Sequence, residues 1–231
     1  MDILKLFFTG ILYINAVMAA VTLVFSAILL KRGRGNPIYF NFGMSTLFLG
    51  LWMVATLLDF FRLTPFSSDV HARLGFLLGI WILHYFLLFS IFFPFRLISD
   101  NRRISVIYIA TLLSSLLAIL PTFVKDAIVL FPFRFRTIDP LLLTIYNLYF
   151  VGLSVFALMN LFKNYERSDG IYRIQLRKII AGTSIAVFAN IIFSLVNFYY
   201  TDFDLTAVGM FFALAVLIYI YLILFRQSSK S

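Results

Sequence analysis

Apolar residues come in seven long runs, separated by short polar stretches. The runs are approximately Leu6–Leu30, Ile38–Phe61, Leu74–Leu97, Ile104–Phe123, Leu141–Phe162, Ile179–Tyr200 and Leu205–Phe225. Each is close to the length of about 20 residues that a helix needs to cross the hydrocarbon of a bilayer. None alternates with the two-residue period of a membrane strand. A helix satisfies its own backbone groups inside lipid. The pattern therefore predicts an all-α fold: a single seven-helix transmembrane domain over residues 1–231, with a short cytoplasmic tail at residues 226–231.

Polar residues inside the runs recur at helical spacings. The first run carries Asn15, Thr22 and Ser26. The second carries Ser45, Trp52, Thr56 and Asp59, and the sixth carries Thr183, Asn190, Ser194 and Asn197. Spacings of seven, four and three place each set on one helix face. Such stripes serve either as hydrogen-bond glue between helices or as the lining of a polar cavity. Gly75 and Gly79 form a G-x-x-x-G in the third run, and Gly209 and Ala213 repeat that spacing in the seventh. Small residues at this interval let helices approach within a bundle or between protomers, which makes a homo-oligomer possible.

Composition strengthens the membrane reading. The chain is 62% hydrophobic and 13% charged, with 29 Phe. An average soluble domain is about half apolar and a quarter charged. A soluble fold this short has too little interior to hide that much apolar surface. The chain has no cysteine, which removes disulfides, thiolate metal sites and cysteine nucleophiles. The net charge of +9 belongs to loops facing anionic lipid and not to a nucleic-acid domain. The first run reads as a span and not as a cleaved leader, because Lys31, Arg32 and Arg34 follow it and its apolar stretch is too long.

Basic residues set the expected orientation. With the N-terminus outside and the C-terminus in the cytoplasm, thirteen of the nineteen Lys and Arg fall on the cytoplasmic side, and seven of the ten acidic residues fall outside. The densest cytoplasmic cluster, Arg173, Arg177 and Lys178, stands at the start of span six as an anchor on the inner leaflet. The connection from Val124 to Pro140 contains VLFPFRFR. It either lies on the outer membrane surface or forms a small hairpin over the bundle.

His84 stands near the middle of GIWILHYFLLFS, beside Trp81 and Tyr85. An ionisable residue at that depth is costly and suggests function, unless one hydrogen bond satisfies it as a neutral ring. Asp59, near the outer end of span two, is a candidate for the same site or for a pair with Arg62 three residues on. No G-x-S-x-G, H-E-x-x-H or Walker-type loop is present, so no enzyme activity is expected. His71 and His84 are too far apart on one helix to sandwich a haem, and span seven has no lysine for a retinal Schiff base. No cofactor or metal is expected. A transporter ranks third, without paired broken helices to support it.

NPIYFNFG leads into span two, LGLWMVATLLDF carries Trp52, and ARLGFLLGIWILHYFLLF forms an aromatic span three. YRIQLRKIIAG, with Tyr172, Arg173, Gln175, Leu176, Arg177 and Gly182, opens span six. On these stretches nearly the whole chain resembles the seven-helix N-terminal sensor region of many bacterial and archaeal histidine kinases. The resemblance implies a sensor bundle in the cell membrane whose seventh helix passes a signal to a cytoplasmic output domain. No phosphoacceptor helix or ATP-binding domain follows span seven in this sequence. The expectation is a standalone module, a truncated piece or a subunit, with a separate protein partner on the cytoplasmic side or in the membrane. In the receptor form, a small apolar or amphipathic ligand binds among Trp52, Asp59, Trp81, His84, Asn190 and Asn197. In the alternative form, the bundle is a non-catalytic structural subunit that anchors or assembles a complex.

Overall fold

The computed structural model describes residues 2–63, 65–94, 101–130, 133–199, 214–220 and 222–223. Side chains at the start of α1 and along the second half of the sixth helix lie outside this description. The elements are α1 (Asp2–Arg32), α2 (Pro37–Phe60), α3 (Ser68–Phe92), α4 (Asn101–Ile119), β1 (Val124–Leu130), β2 (Phe133–Ile138), α5 (Pro140–Glu166) and α6 (Gly170–Tyr199). Residues 214–220 and 222–223 are also helical; the rest of the predicted seventh span lies outside the described residues.

Four helical stretches are long and apolar enough to cross a membrane: Leu12–Arg32, Pro37–Phe60, Ser68–Phe92 and Pro140–Glu166. Ile104–Ile119 is a shorter apolar helix. Large apolar side chains stand on the outside of these helices. Tyr13, Val17 and Val24 on α1, Val106 and Leu113 on α4, Leu148 on α5 and Phe188 on α6 are each more than 60% exposed. Asn15, Thr22, Ser26, Ser45, Thr56 and Thr183 are buried. Exposed apolar side chains, with polar ones turned inward beside an apolar core, suit apolar surroundings.

Local chemistry sets the turns. Between α1 and α2, Gly35 takes φ +88°, a left-handed conformation that glycine adopts without strain. Asn36 then caps α2 by accepting from the Ile38 N–H at 2.9 Å, with Pro37 at the first helical position. At the other end of α3, Phe93 is extended (φ −101°, ψ 132°) and ends the helix. Pro94 explains this: proline disfavours helical backbone in the residue before it. Span three was expected at Leu74–Leu97, so the helix is shifted toward the N-terminus. The first turns of α3 also take in Asp69, His71 and Arg73, through an Asp69–Arg73 ion pair one turn apart and a His71 hydrogen bond to the Ser67 carbonyl.

Span four was expected to reach Phe123, but α4 stops at Ile119, just before Pro121. Phe123 and Val124 instead form the buried base of an antiparallel hairpin. The bundle is all-α, and of the two forms expected for this connection it takes the hairpin, β1 pairing with β2 from Val124↔Ile138 to Leu130↔Phe133. The alternation of apolar and basic residues seen in the sequence is the two-residue period of a strand. Phe123 seats the hairpin against Phe76 (rings edge-on at 4.9 Å) and Tyr146. Asp139 closes it by capping α5, accepting from the N–H groups of Leu141 and Leu142 at 3.1 Å each. Those N–H groups, Leu142 foremost, and nearby Lys125 hold the Asp139 carboxyl below the usual carboxylate range.

The helices run alternately up and down. Ser26 donates to the Gly43 carbonyl, and Ser45 donates to the Ile82 carbonyl. Asn164 on α5 donates to the carbonyls of Ser90 and Phe93 at the end of α3, so α3 and α5 are parallel. One end of the bundle, the hairpin end, holds Asp59, His71 and the β-hairpin. The other, the basic end, carries the exposed Lys31, Arg34, Lys163, Arg167, Arg173, Arg177 and Lys178. The main core lies between them and includes Phe42, Leu49, Met53, Leu87, Phe89 and Leu161. The glycines of the G-x-x-x-G on α3 pack against two different helices, Gly75 against α2 and Gly79 against α5. Gly75 faces the Trp52 indole and Gly79 faces the Tyr146 hydroxyl, so this motif serves packing inside one chain.

Candidate functional site

His84 lies on α3 with no exposed surface. Its Nδ1 is 2.7 Å from Thr111 Oγ1 on α4. Thr111 also contacts the Ile107 carbonyl and the Tyr149 hydroxyl on α5, both at 2.8 Å. One imidazole thus ties three helices through a single hydroxyl. Aromatic rings enclose it. The Tyr108 centroid is 4.4 Å away, Tyr85 5.1 Å and Trp81 5.2 Å, all edge-on. Phe48 of α2 stacks on both Trp81 (5.7 Å) and Tyr85 (5.6 Å), which brings the fourth helix to the cluster.

The six candidate residues do not form one cluster. Trp81 and His84 are neighbours. Trp52 packs on Gly75, and nine residues separate Gly75 from His84, about 14 Å along the helix axis. Asp59 lies at the hairpin end, its Oδ1 3.8 Å from His71 Nδ1, with both side chains buried. His71 is thirteen residues from His84, about 20 Å away along the axis. Asn190 and Asn197 are on α6, and their side chains lie outside the described residues.

Thr111, Tyr149 and Tyr108 complete the His84 cluster, and sequence reasoning did not single them out. Tyr108 and Thr111 are three apart in the fourth run, a spacing that puts them on one face. Nothing local indicates that Tyr149, 38 positions from Thr111, meets the same hydroxyl.

A groove of about 300 Å³ opens at the hairpin end, lined by Phe66, Val70, His71, Arg73, Leu74, Leu77 and Ile119. Among the described residues no three His, Asp or Glu come together in a way that could hold a metal ion.

At the basic end, Arg173, Arg177 and Lys178 stand on the first turns of α6 and point outward, while Leu176, Ile179 and Ile180 face the core. Span six was expected from Ile179, and the helix begins earlier, at Gly170. The Arg173 guanidinium lies 5.1 Å over the Tyr165 ring, and Gln175 reaches the Ile223 carbonyl at 3.3 Å. The cations are thus held on a helix that is itself tied to the last helical segment.

No family model matches this sequence, and no curated protein matches it either. The likeness to kinase sensor regions therefore rests on the quoted sequence stretches alone.

Proposed function

We propose that the protein is a multi-pass cell-membrane sensor module of seven helices, with its N-terminus outside and its basic end in the cytoplasm. It binds a small apolar or amphipathic ligand and relays a change of helix packing through the seventh helix to a separate cytoplasmic protein. The observation that carries this reading is the buried His84–Thr111–Tyr149 network joining α3, α4 and α5. A titratable ring at bilayer depth is expensive to keep. Its position at a three-helix junction lets anything that engages it bias helix packing. A ligand shifts such an equilibrium only by its differential affinity for the two packings. The cations on α6 anchor the basic end at the inner leaflet, where each is attracted to anionic headgroups.

A second reading, a structural membrane subunit, draws on the hydrogen bonds that simply join helices. Ser26 to Gly43, Ser45 to Ile82 and Tyr146 to Phe76 are contacts that join one helix to another. The two are separated by His84→Ala and Trp52→Ala. The sensor loses its response with its assembly intact; the scaffold loses assembly. Thermal unfolding of the purified protein against a panel of lipids and metabolites tests the ligand directly. A panel in which no compound stabilises the protein counts against the sensor.

A further inference from the structure

The hydrogen bonds at Thr111 fix the protons of the His84 ring. Three polar atoms meet Thr111 Oγ1: the Ile107 carbonyl at 2.8 Å, the Tyr149 hydroxyl at 2.8 Å and His84 Nδ1 at 2.7 Å. A threonine hydroxyl has one proton to give and two lone pairs to offer. A carbonyl oxygen can only accept, so the Thr111 proton goes to Ile107. The other two neighbours must then donate to Thr111. Tyr149 does so through its O–H, and His84 through an Nδ1–H.

A neutral imidazole protonated at Nδ1 has a bare lone pair on Nε2. His84 Nε2 is buried and has no hydrogen-bond partner among the described residues. An imidazolium would leave an N–H unmet at the same place and add a charge at bilayer depth. Neither form is satisfied by the described residues, and the neutral one lacks only a donor.

The surroundings define that donor. The imidazole is enclosed by the rings of Trp81, Tyr85 and Tyr108, which favour an apolar body. A charged ammonium would meet the same penalty as an imidazolium. We propose that His84 Nε2 is the polar anchor of a site for an uncharged, hydroxyl-bearing apolar molecule, an alcohol that reaches it from the bilayer and donates its O–H to Nε2. This rests on the sensor reading and names the ligand class for it. Because His84 has no exposed surface in the present packing, the aromatic enclosure must part for the alcohol to enter. The molecule therefore binds an opened packing of α3 and α4 in preference to the closed one, which is the differential affinity a sensor requires.

The test uses the full chain with ¹⁵N-labelled histidine in lipid nanodiscs, with His71→Asn to assign the two rings. The expected His84 spectrum is that of a neutral ring protonated at Nδ1. Dodecan-1-ol is expected to shift the Nε2 resonance toward its hydrogen-bonded position and raise the melting temperature by several degrees. 1-Methoxydodecane, which lacks the donor, does neither. Thr111→Val, which removes the acceptor, is expected to abolish the Nδ1–H preference and the alcohol effect together.

A proton found on Nε2 overturns the inference, and so does a Thr111→Val protein that keeps the wild-type tautomer. Equal effects of alcohol and ether, or none from either, also overturn it and leave a buried water as the donor. If a compound without a hydroxyl stabilises the protein while dodecan-1-ol does not, the sensor reading survives and the hydroxyl assignment falls.

Discussion

Replacing Gly79 by alanine sets two effects of similar size against each other. An alanine in a helix interior is favoured over glycine by about 1 kcal/mol. At Gly79, however, the new Cβ meets the Tyr146 hydroxyl at 3.0 Å. That hydroxyl cannot easily withdraw. It donates to the Phe76 carbonyl at 3.1 Å, and its ring is 6% exposed and packed edge-on to Phe76 at 5.0 Å. Overpacking at such a site costs about 1–3 kcal/mol. The expected net effect is a loss of about 1 kcal/mol. In a Tyr146→Phe background the obstructing oxygen is gone. That substitution itself costs about 0.6 kcal/mol, the average for a hydrogen bond between membrane helices, because the Phe76 carbonyl keeps its place in the α3 ladder. Gly79→Ala should then become stabilising by up to about 1 kcal/mol. The signature is a reversal of sign, with a coupling of about 1–2 kcal/mol in a double-mutant cycle. Gly152→Ala is the control, since nothing lies within 4 Å of its Cβ position. The assay is reversible unfolding in mixed micelles. Equal effects of Gly79→Ala in both backgrounds would refute the claim that Tyr146 and α3 are locked together here.

Asn164→Leu removes donors to the Ser90 carbonyl at 3.3 Å and the Phe93 carbonyl at 2.6 Å; about 1–3 kcal/mol of stability should go with them, read by the same unfolding assay, and an unchanged midpoint would mean that α3 needs no cap from α5. Asp139 has a depressed folded-state pKa, so its cap on α5 is complete above the unfolded value of about 3.9 and is lost as pH falls through the lower folded value. Amide exchange at Leu141 and Leu142 should accelerate there relative to the rest of α5, and Asp139→Asn should remove the pH step. The chain has no native cysteine, so single cysteines report orientation cleanly: Leu63→Cys at the hairpin end should react with an impermeant maleimide on intact cells, whereas Arg34→Cys at the basic end should react only after lysis. The reverse pattern would invert the proposed orientation.

The sequence by itself determined what depends on one helix at a time. Runs of about 20 apolar residues and the inward stripes Asn15–Thr22–Ser26 and Ser45–Thr56–Asp59 are local, because a helix repeats every 3.6 residues whatever it packs against. Its limits were also local. Span three was drawn from Leu74 because polarity was counted without seeing the contacts that draw Asp69, His71 and Arg73 into the first turns of α3. Pro94 and Pro121 marked the true helix ends more closely than hydropathy did, since a missing N–H acts on the backbone directly.

Only the tertiary structure decided which polar residues meet. His84 was visible as an anomaly, but its partners Thr111 and Tyr149 come from two other helices. Trp52 and Asp59, although on helical spacing with each other, lie one above the other toward the hairpin end and away from His84. Spacing along a chain fixes the face of a helix. The rotation and register of neighbouring helices decide what that face touches, and those are set by close contacts such as Gly75 on Trp52 and Gly79 on Tyr146. In lipid, where apolar faces gain little by meeting one another, such contacts and a few buried hydrogen bonds carry the choice of partner.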